Sequence, residues 1–300
     1  MTGSTIRQFY VRDARPKGPE RHRAKPYDLI VTSARLDKII AITGASAGIG
    51  RAVAELAASK GAAVVLSARR ADRLTDIVAG IIARGGRALA VPGDVTQVDD
   101  MRALVAAAVH TFGRLDAMLC NAGVGYHDTF EATPPDVMRR LVDTNLMGTL
   151  YAAHAALPQF RAQQSGHLIA VSSIVGRRGI SGSAVYSATK SAQIGLIEGI
   201  RAECFGTDIH ASLIYPISTR TEFHAAIKRD YGHDVAGNGP KQAPEHVAAA
   251  IIDCMRHPRA EVYPYRRAKW LAILSVIAPT AADRLVQRFE RRATHKVEPA

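Results

Sequence analysis

Four apolar residues, Ile39-Ile40-Ala41-Ile42, run directly into Thr43-Gly44-Ala45-Ser46-Ala47-Gly48-Ile49-Gly50 and then into an Ala-rich stretch from Arg51 to Lys60. A short, uninterrupted apolar run is what a strand buried on both faces looks like. The Ala-rich stretch has high helix propensity. Strand, glycine loop and helix in immediate succession commit the chain to a βα unit of a parallel sheet, because that context gives the glycines their meaning. Gly44 permits a tight turn, Gly48 lets the backbone approach a pyrophosphate, and Gly50 lets helix and sheet pack closely. The phosphates then face the free N–H groups at the helix N-terminus. Ser46 and Ile49 belong to the same loop and count among its expected contacts. The spacing is G-x-x-x-G-x-G, not G-x-G-x-x-G.

The alternation continues down the chain. Ala63–Ser67 reads as a strand, Asp72–Arg84 as a helix ended by Gly85-Gly86, and Ala88–Val91 as a strand. Val98–Phe112 reads as a helix and Ala117–Cys120 as a strand. A long helix starts at Pro134 or Pro135 and is expected to end near Leu157. Gly166–Val171 is a strand, a helix through Tyr186 runs to about Phe205, and His210–Tyr215 is a strand stopped by Pro216. At least six β–α alternations with no internal linker predict an α/β fold: a single doubly wound Rossmann-type domain with a central parallel sheet, over residues 36–265. Residues 1–35 are rich in Arg, Lys and Pro and are expected to be a disordered extension; the alternative is a translation start near Val31 or Leu36. Residues 266–300 are expected to form a helical C-terminal extension.

Hydrophobic residues make up 47% of the chain, enough for a large core. Three widely spaced cysteines, Cys120, Cys204 and Cys254, form neither a disulfide framework nor a metal cluster and fit a reducing cytosol, so a cytoplasmic protein is expected. There is no apolar run of about 18 residues. The formal charge of +12 sits at the ends: residues 1–35 carry eight basic against three acidic side chains and residues 256–300 carry ten against four. A near-neutral body argues against a catalytic site built for nucleic acid. The basic ends leave open a peripheral contact with something acidic, including an anionic membrane surface.

Candidate site residues fall at strand ends. Ala68-Arg69-Arg70 closes the second strand, where an acid would bind a free ribose 2′-hydroxyl; two arginines there point to a 2′-phosphate and so to NADP(H). Asp94, followed by Val95, could accept from an adenine amino group or form an Asx turn. Asn121-Ala122-Gly123 lies at a strand's carboxyl end, where ligands of open parallel sheets bind. Asn145 is a polar residue in the apolar stretch Val142–Leu150 and needs a buried partner or a function. Ser172-Ser173 ends another strand. Tyr186 and Lys190, four apart, share a helix face, and an ammonium beside a phenol favours phenolate. No His, Cys or carboxylate spacing suggests a metal, and none is expected.

With the glycine loop, Asn121-Ala122-Gly123, Asn145, Ser172-Ser173 and the Tyr186/Lys190 pair in this order, the chain resembles a short-chain dehydrogenase/reductase over residues 36–265. The resemblance implies that Tyr186 is the general acid in carbonyl reduction and that Ser173, with Ser172 as the alternative, holds the substrate oxygen. It implies that Lys190 binds the nicotinamide ribose and lowers the Tyr186 pKa. Asn145 would anchor a water in the proton relay, and Asp94-Val95 would meet the adenine. Pro216 and Thr219 would sit on the loop over the nicotinamide. Two departures stand out: Pro216-Ile217 replaces the family's usual Pro-Gly, and Ala47 stands where many NADP-preferring members have a basic residue.

These readings predict an NADP(H)-dependent oxidoreductase interconverting a small-molecule carbonyl and a secondary alcohol, acting as a homo-dimer or homo-tetramer. The alternatives are a 3-oxoacyl-thioester reductase and, from another class, a non-catalytic NADP-binding regulator or nucleic-acid-binding protein. Glu222–Lys241 is expected to be a polar substrate lid, with Tyr126 and His127 near the pocket mouth. The apolar helix from Arg266 to Pro279 could cap the cleft, pack between subunits or lie on a membrane.

Overall fold

The computed structural model describes residues 35–232 and 241–294. The expected disordered N-terminal extension lies outside these residues, as do His233, Asp234 and the Gly237-to-Pro240 run of the lid.

Seven parallel strands form one sheet: β1 (Ile39–Thr43), β2 (Ala63–Ser67), β3 (Arg87–Ala90), β4 (Ala117–Cys120), β5 (Ser165–Val171), β6 (Asp208–Ile214) and β7 (Glu261–Val262), in the order β3-β2-β1-β4-β5-β6-β7. The helices are α1 (Gly48–Ser59), α2 (Ala71–Ala83), α3 (Val98–Phe112), α4 (Pro135–Leu141), α5 (Gly148–Ala162), α6 (Ile174–Arg177), α7 (Ala184–Glu203), α8 (Glu222–Tyr231), α9 (Pro244–Arg256), α10 (Ala268–Ile277) and α11 (Pro279–Thr294). The sheet is covered on both faces. Ile40, Ile42, Val64 and Leu66 point into a core shared with α1, α2 and α9. Ile39, Ala41, Ala63 and Val65 point the other way, into a core shared with α3, α5 and α7. Alternate side chains of a strand face opposite sides, so two covered faces require every position to be apolar.

Two expectations are corrected. The helix from Pro135 is not regular: Val142–Met147 form a π-helical segment between α4 and α5. The helix also runs past Pro158 to Ala162, because Phe160 beyond the proline is fully buried and its packing offsets the missing hydrogen bond. The short helix α6 after Ser173 carries no periodicity of its own and went unread in the sequence.

Candidate active site

Strand order reverses between β1 and β4, and the carboxyl ends of these strands open into a cleft of about 1880 Å³. Open α/β sheets bind ligands at such a switch point. Thr43 at the end of β1 takes hydrogen bonds on its hydroxyl from the N–H groups of Asn121 (3.0 Å) and Ala122 (3.2 Å). The Asn121 amide donates back to the carbonyls of Thr43 (3.0 Å) and Gly44 (3.2 Å), which ties the end of β4 to the glycine loop. Gly44 has φ +65° and its missing Cβ would lie 2.7 Å from the Ala122 backbone, so only glycine fits. Gly48 has φ +56° and opens α1 against the Thr221 side chain. Gly50 is buried: a Cβ there would meet the Gly44 carbonyl at 2.5 Å, so its smallness serves loop packing and it does not reach the cleft wall. Ser46, Ile49, Ala122 and Gly123 do line the cleft. No side chain caps the N-terminus of α1, which leaves its first N–H groups free to meet an anion.

The two expected arginines have different settings. Arg70 donates to the Ser46 hydroxyl (3.0 and 3.2 Å) and to one oxygen of Glu222 (3.0 Å). Arg69 is more exposed and stands 4.0 Å from Asp94. A third arginine, Arg73, one turn further along α2, donates to the other Glu222 oxygen (3.0 Å). Hydrogen bonds from Arg70 and then Arg73 hold the Glu222 carboxyl below its ordinary range. Asp94 forms an Asx turn, accepting from the N–H and hydroxyl of Thr96 (both 3.0 Å), with its other oxygen towards Arg69; it and Val95 line the cleft.

Ser173 lies two residues beyond β5 and caps α6, accepting from the Val175 N–H at 3.3 Å. Its hydroxyl is the side-chain group that acts on the Tyr186 phenol, and both residues line the cleft. Ser172 is turned inward and donates to the Lys190 carbonyl (2.9 Å), so of the two serines it is Ser173 that meets the phenol. Burial raises the Tyr186 pKa above the ordinary phenol value, and the nearby Ser173 hydroxyl opposes this in part. The expected pull towards neutrality by Lys190 is not what sets this phenol. The ammonium is engaged by the Val171 carbonyl (2.9 Å) and Gln193 Oε1 (3.3 Å), with its nitrogen 5.7 Å from the tyrosine ring centroid. Burial lowers Lys190 itself to about 8.

Asn145 sits in the π segment, fully buried and away from the cleft wall. Its side chain accepts from the Val124 N–H (2.8 Å) and donates to the Val124 carbonyl (3.0 Å) and the Thr189 hydroxyl (3.1 Å). Its main-chain carbonyl accepts from Thr149 Oγ1 (2.8 Å) and from Gln193 Nε2 (2.7 Å), which engages both lone pairs. The water expected on Asn145 therefore has no free lone pair at this carbonyl. Gln193, also fully buried, joins Lys190 to the π segment. The sequence carries one signal for it: a polar residue three positions after Lys190, on the same helix face.

Helix α8, in the stretch expected to be the substrate lid, lies beside this group. Thr221 caps it by accepting from the Phe223 N–H (3.2 Å). The Phe223 ring lies 5.8 Å from that of Tyr186, and Tyr231 packs edge-on against Tyr126 at 4.8 Å while accepting from Arg140 (3.0 Å). Pro216 and Thr219 line the cleft, but the Thr219 hydroxyl is spent on the Ile217 carbonyl (2.9 Å). Ile217 keeps a negative φ, and the Gln242 side chain receives its N–H, so this loop follows a path without glycine. His127 faces Ser183 at 3.2 Å on the rim. Beyond the lid, Leu271 and Leu274 of α10 and Leu285 and Val286 of α11 line the cleft. Arg178 fastens α11 to α6 through Asp283 and the Pro279 carbonyl. Among the described residues no group of three His, Cys, Asp or Glu is placed to hold a metal ion.

Comparison with known proteins bears on the family and the fold. The family model for short chain dehydrogenases matches residues 38–232. An uncharacterized oxidoreductase of Listeria innocua is 39% identical over 227 residues, 74% of this chain and 92% of its own. One from Bacillus subtilis is 32% identical over 274 residues, 88% of this chain and 75% of its own. Among solved structures, a short chain dehydrogenase/reductase from Burkholderia phymatum in complex with NAD has the same fold, with a TM-score of 0.73 at 23% identity over 79% of this chain and 92% of that one. An alcohol dehydrogenase from Thermococcus sibiricus, complexed with 5-hydroxy-NADP, gives 0.68 at 25% over 76% and 96%. Fold, glycine loop and relatives agree: the chain belongs to the short-chain dehydrogenase family of oxidoreductases.

Proposed function

We propose that the protein is an NADP(H)-dependent oxidoreductase that interconverts an apolar carbonyl compound and its secondary alcohol. The observation that carries this reading is that Ser173, Tyr186 and Lys190 line the cleft together at the carboxyl edge of the sheet, beside the glycine loop. The residues present fit the cofactor: uncapped N–H groups at α1 suit a pyrophosphate, and Arg69 and Arg70 on the cleft wall, with Arg73 beside Arg70 at Glu222, suit a 2′-phosphate. Bound there, NADP(H) supplies or accepts the hydride. Solved proteins of this fold are described with NAD and with an NADP derivative, so the arginines decide the preference.

Ser173 orients the substrate oxygen. Tyr186, a phenol protonated at neutral pH whose pKa burial raises further, gives its proton to that oxygen as the alcohol forms and takes it back in oxidation. Lys190 places its ammonium behind the phenol and binds the ribose hydroxyls. Asn145 positions these groups through Val124 and Thr189 and touches no reacting atom. Val124, Ile180, Phe223, Ile227, Leu271 and Leu274 make the substrate side of the cleft apolar.

The test is oxidation of NADPH and of NADH with ketones, aldehydes, quinones, steroids and 3-oxoacyl thioesters, with Tyr186→Phe in parallel. The expected result is turnover with NADPH that falls by about 10²–10⁴-fold in the variant, with NADPH binding retained. Full activity in Tyr186→Phe would overturn the mechanism.

A further inference from the structure

Helix α10 has apolar side chains on two sides, and among the described residues only one of them has a partner. Ala268 and Ala272 are buried, and Leu271 and Leu274 line the cleft. On the outer side, Trp270, Ile273 and Ile277 follow at intervals of three and four and share a face, with Val276 and Lys269 beside them. Trp270 is 73% exposed, Val276 78% and Ile277 77%. Large apolar side chains grouped in this way mark a surface that meets something apolar.

Charge says what that is. Arg266, Arg267 and Lys269 are exposed at the start of the helix. No carboxylate occurs between Glu261 and Asp283, and Asp283 is paired with Arg178. The face is therefore apolar with a cationic border that no carboxylate among the described residues pairs. A second copy placed against it would bring two such borders together, and like charges disfavour that contact. A helix of ten residues is too short to span a bilayer, and no described helix is long and apolar enough to do so. A short helix with a Trp, aliphatic residues on one face and basic residues at its edge suits the plane of the headgroup layer.

We infer that the outer face of α10 docks on the surface of an anionic phospholipid bilayer, with Trp270, Val276 and Ile277 in the headgroup–acyl boundary and Arg266, Arg267 and Lys269 against the phosphates. Trp270 also stands on the cleft rim, and the inner side of the same helix walls the cleft. Docking therefore sets the mouth of the cleft at the membrane, where an apolar carbonyl substrate is concentrated. The docking rests on the helix alone; only the delivery of substrate rests on the proposed function.

The chain has one tryptophan, so its fluorescence reports on this face directly. Full-length protein is titrated with vesicles of phosphatidylglycerol and phosphatidylcholine, and with phosphatidylcholine alone. The mixed vesicles are expected to shift Trp270 emission to the blue and to pellet the protein, with weaker binding to phosphatidylcholine and at high salt. Val276→Glu with Ile277→Glu is expected to cut vesicle binding at least about tenfold while leaving the NADPH dissociation constant and turnover of a water-soluble ketone unchanged. Tyr186→Phe protein is expected to bind vesicles like the wild type, so loss of the catalytic reading would leave this result standing. An unmoved emission spectrum, or equal binding by the double variant, would overturn the inference. So would a blue shift without vesicles that grows with protein concentration alongside a dimeric mass, since a second copy would then cover the face.

Discussion

The guanidinium of Arg70 and the carboxylate of Glu222, 152 positions apart in the chain, meet at 3.0 Å where the β2–α2 turn faces the lid helix. The second oxygen of the same carboxylate takes a hydrogen bond from Arg73, also at 3.0 Å. One anion thus spans Arg70, which the proposed function assigns to a 2′-phosphate, and its neighbour Arg73. Both partners are about half exposed, and exposed pairs contribute roughly 0–1 kcal/mol, so a bound phosphate can displace the carboxylate at small cost.

Glu222→Gln is therefore expected to lower the dissociation constant for NADPH by up to about fivefold, the equivalent of roughly 1 kcal/mol, with that for NADH changed less than twofold. Fluorescence titration of the two nucleotides measures this. Equal effects on both would show that Arg70 and Arg73 do not read the phosphate.

Gln193 carries a second expectation. Its amide donates to the Asn145 carbonyl and the Thr149 hydroxyl, both at 2.7 Å, and its oxygen accepts from Lys190. Gln193→Leu keeps much of the volume but leaves a buried ammonium with one acceptor fewer. A loss of about 1–3 kcal/mol in stability is expected, measured by urea unfolding. The pH at which Lys190 loses its proton should also fall, because removing an acceptor disfavours the charged form. A variant as stable as the wild type would mean that the buried amide is not bearing on the π segment.

The Lys190 ammonium gives a pH dependence with a definite sign. Its folded pKa is about 8 against an ordinary 10.5, and the cause is burial. Below pH 8 both states are protonated and the full cost of burying the charge is present. Between about 8 and 10.5 the unfolded chain binds more protons, so stability rises with pH. Relative to Lys190→Met, the wild type should gain roughly 3 kcal/mol across that window. Unfolding midpoints of both proteins at pH 7.5 and pH 10 test this, and parallel curves would contradict it.

Much of this site was legible in advance because its signals are local. A strand covered on both faces must be apolar at consecutive positions, so β1, β2 and β4 could be read from short runs. Gly44 and Gly48 mark the loop because their backbones have positive φ, which other residues resist. Tyr186 and Lys190 share a face because four residues make about one helical turn. The π segment was not legible, since Val142–Met147 pattern like ordinary helix and Asn145 is turned by partners at Val124 and Gln193.

The sequence by itself determined the order of strands and helices, the glycine loop and the spacing of the catalytic candidates, because each depends on neighbours within a few residues. Only the tertiary structure decided that Ser173 rather than Ser172 meets Tyr186, that burial sets the phenol, that Glu222 spans Arg70 and Arg73, and that α10 walls the cleft while exposing Trp270. Those outcomes depend on which distant segments become neighbours and on how much water they exclude, and no local period in the chain encodes either.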